Sequence, residues 1–333
     1  EVRADAYDTK YEMIEIKLGE SIEKQIVLQP RYGSLMLSVS PSEANIEISR
    51  NNIKVKSLTG SQIVKDLLEG EYQVSAKAQG YKSYTSKIMI ENQRRTELNI
   101  EMQKGSDVPD TFVLVEGGTF NNGLANVTVS SFYIGKYEVT QKEWKAVMGN
   151  NPSNFKGDKR PVEQITWYQA VEFCNKLSQK EGVTPAYTIN GTSVSCNWNA
   201  DGYRLPTEAE WEFAARGGKL SKGYTYSGSN NLDEVGWYSS NSGSQTKDVG
   251  TKRANELGIY DMSGNVWEWC WDWHGDYSSS AETNPRGVTN GSPRVLRGGS
   301  WGIYDGGCRV AGRYNSPYYG YGGVGFRLAR TIR

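Results

Sequence analysis

The chain has 333 residues, and its 38 Lys and Arg balance its 38 Asp and Glu, so the formal net charge is zero. A balanced charge argues against a nucleic-acid partner, because binding to phosphates requires clustered positive charge. No apolar run approaches the roughly 18 residues needed to cross a bilayer, so we expect no transmembrane segment. With 37 Gly and 21 Tyr but only 7 Phe and one His, the composition favours a loop-rich fold with tyrosines at its surface over a helical bundle.

Residues 31–103 contain five predicted strands, at 34–40, 45–49, 70–76, 86–91 and 96–102. Apolar and polar residues alternate in most of them, which is typical of half-buried strands. Motifs follow one another at 33–35, 40–41, 44–48, 67–74 and 80–81. This order resembles a PEGA domain, and the resemblance implies a small all-β spacer module of an exported bacterial protein.

Residues 1–30 repeat part of that pattern, with two tyrosines placed before two apolar stretches. We interpret them as the tail of a preceding β repeat, which predicts two strands there. Residues 104–110 read as a linker, and residues 111–333 as a second domain. No signal peptide is recognisable at the start of the chain, which suits a mature or trimmed form.

Three helices are predicted in the second domain, at 140–148, at 166–179 and after Pro206. Thr140 with Glu143, and Thr207 with Glu210, have the spacing of capping boxes. The tryptophans at 267, 269, 271 and 273 alternate at period two, so we interpret them as core packing and not as a sugar-stacking platform.

Eight motifs of the second domain occur in a fixed order, at 112–120, 138–140, 161–163, 167, 203–213, 264–269, 297–301 and 325–327. Together they resemble the formylglycine-generating enzyme family, also known as sulfatase-modifying factors. The resemblance implies an α+β fold of the C-type-lectin-like class, rich in loops.

The catalytic residues of that family are missing from the matching positions. Its oxidases bind copper with two cysteines shortly after the Gly-Gly-Ser element, but residues 298–313 contain only Cys308. A single thiolate cannot form a two-coordinate Cu(I) site. The related sulfoxide synthases hold iron with several histidines, whereas this chain has His274 alone, which we expect in solvent. We therefore expect no copper, no iron and no catalytic residues.

A structural calcium site of the family has matching positions in the Gly-Asn-Val-Trp-Glu-Trp region. The resemblance implies Asp261 and Glu268 as side-chain ligands, and Gly264 and Val266 as carbonyl ligands. Such oxygen ligands on an irregular loop suit Ca²⁺. The alternative is that Asp261 caps a turn and Glu268 pairs with an arginine.

Four cysteines occur, with no CxxC spacing for zinc or redox chemistry. An even number allows two disulfides in an exported protein and equally allows four buried thiols. The candidate disulfide residues are Cys174, Cys196, Cys270 and Cys308.

Residues 302–323 are rich in Gly and Tyr and contain no Lys, Glu, Gln, Met or Trp. Most residue types present are reached by changing the first two bases of an Asn codon, as adenine-directed mutagenesis would do. The segment and its place resemble the variable proteins of diversity-generating retroelements. Tyr with Gly and Ser is also typical of antibody-like contact surfaces. The candidate ligand-binding residues are Ile303, Tyr304, Asp305, Tyr314, Asn315, Tyr318, Tyr319 and Tyr321.

The function predicted from the sequence is therefore non-enzymatic binding of a protein or glycan ligand. We expect an exported protein at the bacterial cell surface or in the periplasm, with a lipoprotein anchor outside this chain as one arrangement. Two alternatives stay open, an enzyme that uses a different site and a structural subunit of a bacterial envelope assembly.

Overall fold

The computed structural model describes residues 1–16, 18, 21–78, 81–103, 108–291, 293–317 and 322–332. The chain divides into two compact units, Glu1–Pro109 and Asp110–Arg333. No helix in the described ranges combines the length and apolar character needed to cross a membrane.

The described residues of the first unit form seven strands. They are β1 (Tyr32–Ser40), β2 (Asn45–Arg50), β3 (Ile53–Thr59), β4 (Gln62–Leu68), β5 (Gly70–Lys77), β6 (Tyr84–Ile90) and β7 (Arg95–Glu101). One sheet has the order β4-β1-β7, with β1 and β7 parallel, and the other has the order β3-β2-β5-β6. Every second residue of β1 is buried, namely Gly33, Leu35, Leu37 and Val39, as strand alternation requires.

All five strands expected in this unit are present, but β3 and β4 were not predicted. β3 lies at the edge of its sheet, and none of its seven residues is fully buried. An edge strand without a buried face has only a weak periodic pattern, because nothing selects apolar residues on one side.

The two strands predicted within residues 1–30 are wrong for the part that the structure describes. This segment contains only isolated bridges, Val2 with Lys10 and Tyr7 with Pro30. Its apolar side chains, such as Met13 and Val27, are exposed. Strands of a repeat need cover for their apolar face, and these exposed side chains have none.

The second unit contains four α-helices, α1 (Gln141–Met148), α2 (Trp167–Lys180), α3 (Glu208–Ala215) and α4 (Leu232–Val235). The first three begin with complete capping boxes, at Thr140, Thr166 and Thr207. The predictions for α1 and α3 are confirmed, and α2 differs from its predicted range by one residue at each end. Capping boxes are readable from sequence because they satisfy local backbone donors.

Thirteen short strands complete the described part of this unit. They are β8 (Phe112–Val115), β9 (Gly118–Asn121), β10 (Asn126–Val129), β11 (Phe132–Gly135), β12 (Tyr187–Asn190), β13 (Ser193–Cys196), β14 (Tyr203–Arg204), β15 (Trp267–Trp273), β16 (Glu282–Thr283), β17 (Arg294–Arg297), β18 (Arg313–Ser316), β19 (Val324–Gly325) and β20 (Ala329–Thr331). The sheets have the orders β14-β20-β11-β8, β18-β17-β15-β19, β16-β10-β9 and β12-β13. This is a loop-rich α+β fold, as predicted.

Three tryptophans of β15 pack in or against the core, as expected, whereas Trp273 is half-buried and lies outside the core clusters. Trp269 is fully buried and donates from Nε1 to the carbonyl oxygen of Ile165 at 3.0 Å. Trp271 stacks on Tyr187 with ring centroids 5.4 Å apart. Trp267 is also largely buried, and it has a second role at the surface described next.

Candidate ligand-binding surface

The predicted binding segment leaves the sheet after β17 and returns to it as β18. The two strands pair in antiparallel register, with Leu296 opposite Tyr314 and Arg297 opposite Arg313. Between them the chain forms a short 3-10 helix, Asp305–Cys308. The sheet therefore supports the segment on both sides of this helix.

The indole of Trp267 lies beneath two of the predicted contact residues. Tyr314 stacks on it, with ring centroids 5.5 Å apart and an interplanar angle of 27°. Ile303 packs against the same core cluster. A Cβ built on Gly307 would lie 2.4 Å from Cγ2 of Ile303 and 3.8 Å from the Trp267 ring. The structure thus brings Ile303 and Tyr314 together around Trp267.

Two tyrosines project most of their surface into water here. Tyr304 is 81% exposed and Tyr314 is 58% exposed, and Asp305 beside Tyr304 is exposed as well. Large exposed aromatic rings on a fixed support offer contact area at little entropic cost. We call Trp267, Ile303, Tyr304, Asp305 and Tyr314 the contact surface.

Of the remaining predicted contact residues the structure describes Asn315, which is not brought together with this surface. Asn315 follows Tyr314 in β18, and successive strand residues point to opposite faces of the sheet. Asn315 therefore lies on the other face. Tyr318, Tyr319 and Tyr321 lie outside the described residues.

The segment also contains residues that hold it in place. Cys308 is fully buried and packs with Tyr226, Leu232 and Val235. A Cβ on Gly299, whose φ is +79°, would lie 2.5 Å from the Cys308 sulfur. Of the other residues in this segment, Ser316 is buried and Arg313 is half-buried, whereas Arg309, Ala311 and Pro317 are exposed.

A buried ion pair stabilises the sheet beneath the contact surface. Arg327 donates from Nε and Nη2 to the two oxygens of Glu268, both at 2.6 Å, and neither side chain is exposed. Trp211 adds a third hydrogen bond, from Nε1 to Glu268 Oε2 at 2.7 Å. Glu268 directly follows Trp267, so this pair fixes the strand that carries the floor of the surface.

Asn265 connects this strand to the loop of Trp301. Its carbonyl oxygen accepts from the Trp301 backbone at 2.8 Å, and its amide donates to Glu138 Oε2 at 2.6 Å. Burial, followed by the negative charges of Asp261 and Glu268, raises the pKa of Glu138 well above its usual range. Several polar side chains are thus buried behind the contact surface.

The residues predicted to hold calcium lie in this same network. Oδ2 of Asp261 accepts from the Gly250 backbone at 2.6 Å, whereas its buried Oδ1 has no hydrogen-bond partner. Asp261 therefore has an oxygen that suits a hard cation. Both oxygens of Glu268 accept from Arg327, as the alternative interpretation proposed.

A calcium ion would thus need the carbonyl oxygens of Gly264 and Val266 besides Asp261. Within the described ranges, no group of three or more His, Cys, Asp or Glu is placed to hold a metal ion. The calcium site stays a prediction.

All four cysteines are free thiols, so the structure contains neither of the two disulfides that their even number allowed. Cys174, Cys270 and Cys308 are buried and Cys196 is half-buried. Burial raises the pKa of Cys196 and of Cys308 to about 12. These thiols are protonated at neutral pH, so they are poor nucleophiles and poor metal ligands.

His274 is half-buried, so its side chain is partly exposed to solvent. Burial, followed by the positive charge of Arg313, lowers its pKa. The only histidine is therefore neutral at pH 7.

Comparison with known proteins identifies relatives of several kinds. A chaperone protein, LppX of Paenibacillus barcinonensis, is 50% identical over 231 residues, which cover 58% of this chain and 79% of LppX. The formylglycine-generating enzyme of Streptomyces coelicolor is 39% identical over 160 residues, 42% of this chain. The chain spans about half of that enzyme, 50% of its length.

A solved structure, Treponema denticola variable protein 1, has a similar fold. It is 40% identical, with a TM-score of 0.62, and the match covers 66% of this chain and 95% of that protein. The family model described as the sulfatase-modifying factor enzyme 1-like domain matches residues 69–332, most of the chain. The chain therefore belongs to the sulfatase-modifying factor enzyme 1-like domain family.

Proposed function

We propose that this chain is a non-enzymatic ligand-binding protein that contacts its ligand through the contact surface. The observation that carries the proposal is the contrast between two exposed tyrosines, Tyr304 and Tyr314, and the buried support beneath them. Rigid aromatic side chains on a fixed base lose little conformational freedom on binding.

Diversification by a retroelement is the second part of the proposal. The residue types in 302–323 suit adenine-directed mutagenesis, and this segment supplies Ile303, Tyr304, Asp305 and Tyr314 of the contact surface. The similarity to a Treponema variable protein at 40% identity supports it. Exposed positions tolerate substitution with little effect on stability, so the fold is compatible with such variation.

The absence of enzymatic activity rests on Cys308. Its thiol is fully buried in an apolar cluster, and burial raises its pKa to about 12. A protonated, inaccessible thiol is unsuited to copper binding or to attack on a substrate.

A protein or a glycan is the ligand class that we propose. Tyrosine rings suit both, because each ring combines an apolar face with a hydroxyl group. The Paenibacillus relative at 50% identity is named a chaperone protein, which favours a protein ligand. A net charge of zero disfavours nucleic acid.

We also propose that the protein is exported to the bacterial surface or periplasm, where the all-β unit acts as a spacer. Its seven strands and their separate core suit a module that folds independently of the binding unit. The PEGA-like motif order in 33–81 supports this role.

Sequencing the gene across isolates tests the diversified part of the proposal. We expect substitutions confined to codons 302–323, and a nearby near-copy of codons 297–327 with adenines at the substituted positions. An invariant segment with no copy would leave a fixed binder or a structural subunit of an envelope assembly.

A peptide-oxidation assay tests the non-enzymatic part. The wild-type protein is incubated with copper, oxygen and a cysteine-containing sulfatase peptide, and formylglycine is measured by mass spectrometry. We expect no turnover, and none in Cys308→Ser. Turnover that disappears in Cys308→Ser would establish an enzyme instead.

A further inference from the structure

A pocket lies on the face of the sheet opposite to Tyr314. Arg313 and Tyr314 are consecutive in β18, so their side chains point to opposite faces. Tyr314 stacks on Trp267, whereas Arg313 lines a pocket of about 420 Å³. That volume lies within the range of small-molecule sites, roughly 300–1,000 Å³.

One wall of the pocket is apolar. Phe120 and Val127 come from β9 and β10, Trp273 from the end of β15, and Val288 from the following loop. Two regions that are distant in sequence, 120–127 and 273–288, therefore form one concave surface. An apolar wall of this kind accommodates the body of a ligand with little regard to its exact shape.

The floor and the mouth of the pocket are acidic. Glu208, Glu212 and Asp272 are buried at the floor, and Asp276 and Glu282 are exposed at the mouth. Arg313 is the sole Lys or Arg of the lining. The lining therefore has five acidic groups and one basic group.

The charge of Arg313 is already neutralised within the protein. It donates from Nε to Glu208 Oε1 at 2.9 Å and from Nη2 to Glu208 Oε2 at 2.7 Å. Its Nη1 donates to the Gly275 carbonyl at 2.9 Å. With all three nitrogens engaged, Arg313 has little capacity to attract an anion. Glu212 is likewise neutralised, by Arg216 and Arg297.

Asp272 is a buried acidic group of the lining for which the described residues supply no cation. It is 3% exposed, and its Oδ2 accepts from the Glu208 backbone at 2.8 Å. It forms no ion pair with any described residue, because the nearby arginines bond to Glu208 and Glu212. Burial, followed by the charge of Glu208, raises its pKa well above its usual range. A cation placed here would offset that charge repulsion.

We propose that this pocket binds a small organic cation, an ammonium or guanidinium group carried on an apolar or aromatic body. Asp272 holds the charged end at the floor, and Phe120, Trp273 and Val288 contact the body. The acidic mouth favours entry of cations over anions. This site is separated from the contact surface by the sheet, so it does not depend on the proposed function.

Calorimetric titration of the full chain tests the proposal with benzylammonium as the probe. Benzyl alcohol and benzoate are its neutral and anionic counterparts of similar shape. We expect benzylammonium to bind about tenfold or more tightly than either, the ratio expected when one charged hydrogen bond is lost. Equal binding of benzyl alcohol, or tighter binding of benzoate, would overturn the proposal.

Three variants locate the binding. Asp272→Asn keeps an oxygen that can accept from the Glu208 backbone but cannot ionise when a cation binds, and we expect about tenfold weaker binding of benzylammonium. Val288→Trp fills the pocket from its exposed rim and should abolish binding without altering any charge. Asp158→Asn changes an exposed aspartate outside the lining and should have no effect. Unchanged affinity in both pocket variants, with melting curves like the wild type, would place the probe elsewhere and overturn the proposal.

Discussion

Trp267 of the contact surface and Glu268 of the buried network behind it are adjacent in β15. The two regions nevertheless differ in how much a substitution should cost in stability. Trp267 supports Tyr314, which is 58% exposed, while the adjacent Glu268 has no exposure at all and pairs with Arg327. In the network every side chain has partners that would be left buried and unsatisfied by substitution. On the contact surface the rings of Tyr304 and Tyr314 are mostly exposed to water. Stability is thus concentrated in the network, and the surface can change without unfolding the protein.

We expect the largest change in the free energy of unfolding when Arg327 is replaced. Arg327→Met leaves Glu268 buried without its cation, and we expect the free energy of unfolding to fall by about 3–5 kcal/mol. Urea titration at 25 °C measures the change. Arg309→Met removes an exposed arginine of the binding segment and should cost no more than about 0.5 kcal/mol. Equal losses in the two variants would contradict the contrast.

Replacing Asp261 should change stability less, and in the opposite direction, so that the variant is more stable than the wild type. Burial raises its pKa to about 6, above the ordinary value of 3.8. Because the folded state binds this proton more tightly, its contribution to stability is present below about pH 4 and is lost as the pH rises through about 6. In EDTA at pH 7.5, Asp261→Asn should therefore be more stable than wild type by roughly 1–3 kcal/mol. At pH 4 the difference should largely disappear.

The same variant also tests the predicted calcium site. If Asp261 Oδ1 is a calcium ligand, calcium should raise the melting temperature of the wild type at pH 7.5 and leave Asp261→Asn unchanged. Asparagine also tolerates the left-handed backbone of this position, where φ is +58°. A wild-type melting curve that is the same in calcium and in EDTA would remove the predicted site.

The smallest effects are expected within the contact surface itself. Tyr314→Ala loses the stacking on Trp267, and we expect a cost of about 0.5–1.5 kcal/mol. Tyr304→Ala removes a ring that is 81% exposed and should change stability by about 0.5 kcal/mol or less. Thermal melting of this pair measures how far the support extends into the binding segment. A larger loss of stability in Tyr304→Ala than in Tyr314→Ala would contradict the role of the Trp267 stacking in supporting the segment.

Several features of the fold were readable from the sequence because they depend on near neighbours along the chain. The capping boxes at Thr140 and Thr207 satisfy backbone donors within four residues, and both helices begin where predicted. The alternation in β1 reflects one buried face. The edge strand β3 buries no residue completely and was not predicted.

The candidate site was only partly readable. The composition of 302–323 marked the segment, but the period-two tryptophans indicated core packing and not that Trp267 also supports Tyr314. Asn315 was grouped with Tyr314 because adjacent residues look equivalent in a sequence. The strand pairing separates them, since each step along β18 reverses the face.

The sequence by itself determined the family, the fold class, the capped helices and the segment that carries the contact residues, because ordered motifs and local periodicity encode them. Only the tertiary structure decided which side chains meet. The pair Glu268 and Arg327 is 59 residues apart, and Arg313 and Glu208 are 105 residues apart. Contacts over such separations depend on how the sheets and helices assemble, and no local pattern records them. The contact surface and the acidic pocket both arise at that level, on the two faces of one strand.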